Sequence, residues 1–258
     1  SGKVTIAKAS HEKVTANMEA KYGNTATLNL ATLNLPAGCS FGKISTTDAD
    51  SIFDGTPSIA NSTLSAKLAN GAAKAGKKAT ITIPVSSTNY ADYTIEVTVT
   101  VLAKTAHTLS AAPIAMTYGD AAKKIEVSGA VGSLSYEVMD GMDIVSVDTN
   151  GNVTAIKSGT ATITITAAET STHASGSTTV TVTIAKRALT VKADDKTAYI
   201  GDKQPELTYT VSGLVGNDKL TTVPTLKLVH DANVDPMKQA GTYVIGFETE
   251  PAASANYE

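Results

Sequence analysis

The sequence predicts an all-β protein made of three antiparallel β-sandwiches in tandem, on three observations. The first is strict alternation. Residues 93–101 read Y-T-I-E-V-T-V-T-V, 160–166 read T-A-T-I-T-I-T and 178–184 read T-T-V-T-V-T-I. A period of two over such runs marks strands with one face on a core and the other in water, which is antiparallel sandwich behaviour. The second is composition. Hydrophobic residues reach 42%, enough for real cores, while charged residues are only 17%. Polarity comes instead from Thr, Ser, Asn and Gly, and β-branched Thr suits the solvent face of a strand. The third is repetition. V-T-V-T-V-L-A-K ends at Lys104 and V-T-V-T-I-A-K ends at Lys186, each followed at once by a new strand-like segment.

The two endings place boundaries near 105 and 187 and divide the 258 residues into modules of 1–105, 106–186 and 187–258, the size of small sandwiches. The links carry no Pro- or Ser-rich spacer, so a semi-rigid array is expected.

Taken in order, the chain opens with Gly2–Lys8, in which Val4–Lys8 (V-T-I-A-K) repeats Val182–Lys186. It therefore reads as the last strand of a preceding domain, with an edge strand of the first module or a free arm as alternatives. In the first module the Ala/Lys-rich stretch Leu68–Lys78 holds Gly71 and Gly76 and reads as a strand end and turn rather than a helix. S-T-N-Y-A-D-Y at Ser87–Tyr93 reads as a corner into the last strand, where Asn takes turn geometry and Tyr buries its ring while its hydroxyl caps a backbone group. S-T-H-A-S-G at Ser171–Gly176 and S-A-N-Y-E at Ser254–Glu258 stand at the same place in the other two modules. In the second module Gly119 and Asp120 of Tyr118–Asp120 suit a turn, T-N-G-N at 149–152 is a hairpin turn needing positive φ at Gly151, and Gly159 marks a turn before the long strand. Val180, Val182, Ile184, Ile163 and Ile165 are expected to point into its core, with the alternating Thr residues outward.

Ile144–Ala168 (I-V-S-V-D-T-N-G-N-V-T-A-I-K-S-G-T-A-T-I-T-I-T-A-A) closely resembles the signature of the bacterial immunoglobulin-like group 2 family. The third module opens A-L-T-V-K-A-D-D-K-T-A-Y-I-G-D-K-Q-P-E-L-T-Y-T-V-S-G-L and later has A-G-T-Y-V-I-G-F at Ala240–Phe247. It resembles the bacterial immunoglobulin-like modules with a Tyr-Gly-Asp…Pro…Leu-Thr-Tyr pattern, with Ile200 standing between Tyr199 and Gly201. The first module resembles these families only through T-N-Y-A-D-Y-T and its alternating strands. The resemblance implies tandem immunoglobulin-like domains of a bacterial cell-surface or secreted protein, extracellular, serving as stalk, spacer or adhesive repeat.

The chemistry-bearing residues point away from catalysis. Cys39 is the single cysteine, so no intrachain disulfide forms, and it reads as a small buried hydrophobe. His11, His107, His173 and His230 are scattered without metal-ligand spacing. Asp148–Asn152 opens like a calcium loop but lacks the closing Glu. Asp48, Asp50 and Asp54 leave a weak calcium site between domains as an alternative. Asp140 with Asp143, and Asp194 with Asp195, read as solvated turn acids rather than a glycosidase pair. Lys8 and Lys186 are candidates for an isopeptide cross-link, with no motif to select them. There is no Trp and only three Phe, which argues against a dedicated sugar-stacking module. A net charge of −3 without a basic patch excludes nucleic acid as the expected partner, and no apolar run reaches the ~18–20 residues that span a bilayer.

The expectation is thus a non-enzyme with no catalytic, cofactor or metal residues: a mechanical stalk, or alternatively an adhesin contacting host protein or glycan through sandwich-end loops. The third module is expected to lack its closing strand, because Asn256-Tyr257 is not followed by the long strand that follows Asn89-Tyr90. Head-to-tail strand exchange between molecules is the associated partner expectation.

Overall fold

A computed structural model describes residues 1–258. It is nearly all strand, with two short 3-10 turns, Leu30–Leu33 and Ala72–Lys74, as the only helical pieces. The second of these lies in the Ala/Lys-rich stretch that the glycines predicted to be a turn. The chain gathers into two compact units, Ser1–His107 with Ala168–Gly176, and Thr108–Ala167 with Ser177–Glu258.

In the first unit one sheet runs in the order Val14–Lys21, Tyr93–Leu102, Lys78–Ser87, Cys39–Phe41, with Ser45–Thr47 also on Lys78–Ser87. A second sheet runs Thr25–Asn29, Thr63–Lys67, Ser58–Ala60. The alternation of 93–101 lands as read: Ile95, Val97, Val99 and Val101 are fully buried, beside Ile81 and Ile83 of one sheet and Leu64 and Ala66 of the other. Burying each such side chain contributes ~1.5–3 kcal/mol, so the alternating strands carry most of the stability.

In the second unit the main sheet runs Ile114–Thr117, Gly176–Ala185, Gly159–Ala167, Leu134–Asp140, and a smaller one runs Lys123–Lys124, Asn152–Ala155, Val145–Val147. Val180, Val182, Ile184, Ile163 and Ile165 are all buried, and Thr181 and Thr183 are exposed between them. The hairpin read at T-N-G-N joins Val145–Val147 to Asn152–Ala155, with Gly151 at φ 81°.

Residues 187–258 form two separate two-stranded pairs, Thr190–Ala193 with Tyr209–Ser212 and Thr225–Val229 with Val244–Thr249. Only Pro224 and Tyr257 are buried after residue 187. A groove of about 640 Å³ in this segment is lined by residues 196–200, by residues 236–243 of the loop between the second pair's strands, and by Leu228 and Ile245.

One ladder departs from the antiparallel pattern in both cores. Val14–Lys21 lies parallel to Tyr93–Leu102, and Ile114–Thr117 lies parallel to Gly176–Ala185. A parallel partner needs a long connection, and here the rest of each sandwich is that connection.

Candidate functional site at the turn and corner joints

Two small devices recur along the chain. The first is a glycine turn, which in the first two cases begins where an early strand ends. Tyr22-Gly23-Asn24, Tyr118-Gly119-Asp120 and Ile200-Gly201-Asp202 each place the glycine at positive φ, 75°, 84° and 90°. In each the third residue's N–H donates to the carbonyl three back, Asn24 to Lys21, Asp120 to Thr117 and Asp202 to Tyr199. Asp120 and Asp202 also accept from the N–H of Thr117 and Tyr199 through their carboxylates. In the first two turns the tyrosine N–H donates to the closing strand, Tyr22 to Leu102 O and Tyr118 to Ala185 O. Ile200, at the matching position, has no such partner.

The second device is a corner that pins the residue following each A-K pair. The N–H of Ala9 donates to Asn89 O while Ala91 N–H donates to Ala9 O. Thr105 does the same with Thr172 and Ala174, and Arg187 with Asn256 and Glu258. The middle corner residues Tyr90, His173 and Tyr257 make the matching parallel bridges. The corner motif was legible in the sequence; the pinned residue was not, because Ala9, Thr105 and Arg187 share no side-chain chemistry.

Turn and corner meet in pairs. In the first unit Lys21 Nζ donates to Thr172 O at 2.8 Å and to Thr105 Oγ1 at 3.1 Å, and Asn24 Nδ2 donates to Ser171 O at 2.8 Å. Lys104 has a side chain 4% exposed and pairs with Glu169 at 2.8 Å, its ammonium 4.8 Å from the centre of the Tyr22 ring. That cation, by its hydrogen bond, holds the Glu169 carboxyl below the usual carboxylate range. His107 and His173 lie with ring centres 5.1 Å apart.

In the second unit Tyr118 and Tyr257 both donate to Asp218 Oδ2, at 3.0 and 2.5 Å, and Tyr257 Oη accepts from Val215 N–H at 2.9 Å. The hydrogen bond to Asp218 raises the Tyr118 pKa, and burial followed by that same carboxylate raises the Tyr257 pKa. Arg187 Nη1 donates to Tyr118 O, and Ser158 N–H donates to Asn256 Oδ1 at 2.9 Å. Gly119 is tight here: a Cβ would stand 2.4 Å from Val215 Cγ2. Tyr257 thus buries its ring and engages a backbone N–H, as the corner reading required. Tyr93 departs from that reading. Its ring is buried with the His11 ring stacked 4.1 Å away, but its hydroxyl reaches no hydrogen-bond partner.

The acids singled out in the sequence are held by their own turns. Asp148 accepts from Asn150 and Asn152 N–H and from Asn152 Nδ2, and the Asn152 side chain leads in lowering its pKa. Asp48 accepts from Ile52 and Phe53 N–H. Asp194 accepts from Thr208 and Thr210, and Thr208 leads in lowering its pKa. Asp50 pairs with Lys77 and Asp143 with Lys157, both at 3.2 Å. Asp140 ends a bulged strand, while Asp54 and Asp195 are exposed. No three His, Cys, Asp or Glu side chains converge. Cys39 is half-buried against the first core, and His230 lies exposed beside Asp231 O. Lys8 Nζ donates to the Ser87 carbonyl at 2.8 Å, and Lys186 is exposed. The Tyr22-Gly23-Asn24 turn escaped the sequence reading because Asn replaces the Asp of its two sister turns.

Residues 189–258 match the model of the MBG domain (YGX type) family. No curated protein matches the chain. Among solved structures, Drosophila N-cadherin EC1-3 aligns at 12% identity over 69% of this chain and 66% of that one, with a TM-score of 0.26. Human CDH23 EC21-23 aligns at 14% identity over 84% and 82%, with a TM-score of 0.28. Human protocadherin-24 EC1-2 aligns at 11% identity over 66% and 94%, with a TM-score of 0.25. The chain spans just under two thirds of the N-cadherin structure. No helix is long and apolar enough to cross a membrane.

Proposed function

We propose that this chain is a non-catalytic, load-bearing run of three modules, 1–105, 106–186 and 187–258, in an extracellular stalk or adhesive repeat of a bacterial surface protein. The observation that supports the reading best is the Tyr118–Asp218–Tyr257 cluster. It ties the turn after Ile114–Thr117 to the corner of residues 187–258 by charge-assisted hydrogen bonds, which are about twice as strong as neutral ones. A link of only four residues, 186–189, between Gly176–Ala185 and Thr190–Ala193, with such a clamp, transmits orientation; a flexible linker does not. The corners at Ala9, Thr105 and Arg187 support the three-module division, since the same pinned corner recurs near the start of 1–105, at the 105/106 boundary and at the start of 187–258. The MBG match over 189–258 supports the assignment of the last module.

The test is backbone nitrogen relaxation by NMR on the full chain and on Asp218→Ala. Residues 187–258 should tumble with 108–186 in the native chain and gain independent motion in the variant. Independent tumbling in the native chain would overturn the reading.

A further inference from the structure

We infer that Tyr118 and Tyr257 are a covalent cross-linking site, at which one-electron oxidants join the two rings as a dityrosine. Such coupling needs two phenols in contact, a base for their protons, and ring carbons that can meet. The ring centres stand 5.6 Å apart with planes at 85°. Both hydroxyls donate to one atom, Asp218 Oδ2, at 3.0 and 2.5 Å. Two phenol oxygens on a single acceptor lie within about two hydrogen-bond lengths of each other. The ring carbons beside those oxygens, where phenoxyl radicals couple, are drawn to the same place. A bond between two aromatic rings accepts strongly twisted planes, so the rings have only to close in, without becoming coplanar.

Of the nine tyrosines, these are the two whose hydroxyls donate to a carboxylate. Tyr243 donates to a peptide carbonyl, that of Gln239, which is no base. Tyr93 has a buried hydroxyl without a partner, so its proton has no acceptor. Tyr199, 80% exposed, is the site that access of an oxidant alone would favour. The pair is also held in place. Val215 N–H donates to Tyr257 Oη at 2.9 Å, and the Val215 side chain fills the space over Gly119. Tyr118 N–H donates to Ala185 O and Tyr257 N–H to Ser254 O, which fixes both backbones. Holding two reactants in contact turns a bimolecular encounter into an intramolecular step.

Asp218 supplies the path for the protons. Its hydrogen bond leads in raising the Tyr118 pKa and follows burial in raising that of Tyr257, so both phenols keep their protons at neutral pH. A phenol that gives up an electron becomes a strong acid, and the carboxylate already bonded to it accepts the proton. Each tyrosine therefore loses one electron to the oxidant and one proton to Asp218, which hands the first proton to water before taking the second. The two radicals then form one carbon–carbon bond next to their hydroxyls. The hydrogen on each joined carbon moves to its phenol oxygen as the rings regain aromaticity. In balance, two tyrosines and two oxidant equivalents give one dityrosine, two protons and two reduced equivalents. The product makes the clamp between the turn at Tyr118 and the corner at Tyr257 permanent.

The experiment treats the full chain at neutral pH with two equivalents of hexachloroiridate(IV), a small one-electron oxidant. The chain should stay monomeric, lose the mass of two hydrogen atoms and gain dityrosine fluorescence. Digestion should release one linked pair of peptides, bearing Tyr118 and Tyr257. Tyr118→Phe should abolish that product, and Tyr199→Phe should leave its yield unchanged. Asp218→Asn keeps a hydrogen-bond acceptor but no base, and should slow coupling at least ~10-fold. The native chain unfolded in urea should lose the selectivity and give mixed links. Absence of dityrosine from the native monomer, links chiefly at other tyrosines or between molecules, coupling at the native rate in Asp218→Asn, or unchanged selectivity in urea would each overturn the inference. The contact is the one that supports the load-bearing reading, but rigid tumbling of 187–258 is measured on the unoxidised chain, so the two outcomes are read separately.

Discussion

Tyr118 and Tyr257 meet edge to face, with ring centres 5.6 Å apart and planes at 85°, and their two hydroxyls share one carboxylate oxygen of Asp218. A segment with little core of its own is therefore held by a polar clamp on a residue from a well-packed sandwich.

Replacing Asp218 with Ala leaves both hydroxyls without their acceptor. Hydrogen bonds to charged groups contribute about 1.5–3 kcal/mol each, less where water reaches them. For the half-buried Asp218 we expect residues 187–258 to lose about 1–3 kcal/mol, and Tyr118→Phe to cost roughly half of that. Limited proteolysis in rising urea reads this out: cleavage after residue 187 should move to lower urea while the cores of 14–102 and 114–184 hold. Simultaneous loss of all three regions contradicts the clamp.

The same pair sets an alkaline limit. Both phenols have folded pKa values raised above the ordinary 10.0, Tyr118 chiefly by its bond to Asp218 and Tyr257 chiefly by burial. A group raised on folding contributes stability that is complete below its unfolded pKa and is lost as pH rises through the folded one. The segment 187–258 should thus weaken as pH climbs beyond 10.0, and the slope should diminish in Tyr118→Phe. Chemical denaturation monitored at several alkaline pH values supplies the measurement.

Gly119→Ala sets a methyl 2.4 Å from Val215 Cγ2 at a φ of 84° that side chains disfavour. The combined strain is about 1–3 kcal/mol. Val215→Ala should recover part of it in the double variant, with a coupling of at least ~0.5 kcal/mol. Additive effects in the thermodynamic cycle would show that the close approach is not the cause.

Asp148 makes its turn from the opposite direction. Its carboxyl is lowered by the Asn152 side chain and by the N–H groups of the hairpin. Its contribution is present above the ordinary carboxylate range and disappears as pH falls through the lowered value. Asp148→Asn should flatten the acid arm of the stability profile of the second core, measured by urea melts between about pH 5 and pH 2.

Within that core, Ile163→Ala should cost about 2–5 kcal/mol, since Ile163 is completely buried among Val153, Val182 and their neighbours. Thr181→Ala, on the outward face of the adjoining strand, should change stability by no more than about 0.5 kcal/mol. Comparable losses at the two positions would mean that the facing of the strands is wrong.

The strands were legible because Val, Ile and Thr alternate without interruption, and a slip of one residue would have exposed Ile163, Ile165, Val180 and Val182 together. The corners were legible through Asn89-Tyr90 and Asn256-Tyr257. The parallel ladders were not, since alternation fixes which face a strand buries and is silent about the direction of its neighbour. Asp218 was equally hidden: it lies 100 residues from Tyr118, in a loop of ordinary polar composition, and only folding brings the two together.

The parallel pairing of Val14–Lys21 with Tyr93–Leu102 has a mechanical consequence. Tension that pulls Val14 backwards along the chain and Leu102 forwards slides two parallel strands past each other. The eight paired positions from Val14–Ile95 to Lys21–Leu102 are then strained at once, whereas a hairpin pulled open from its end yields one rung after another. The second core has four such rungs, from Ile114–Val182 to Thr117–Ala185. Under a common pull the second core should give way first, lengthening the chain while the sandwich of residues 14–102 stays shut.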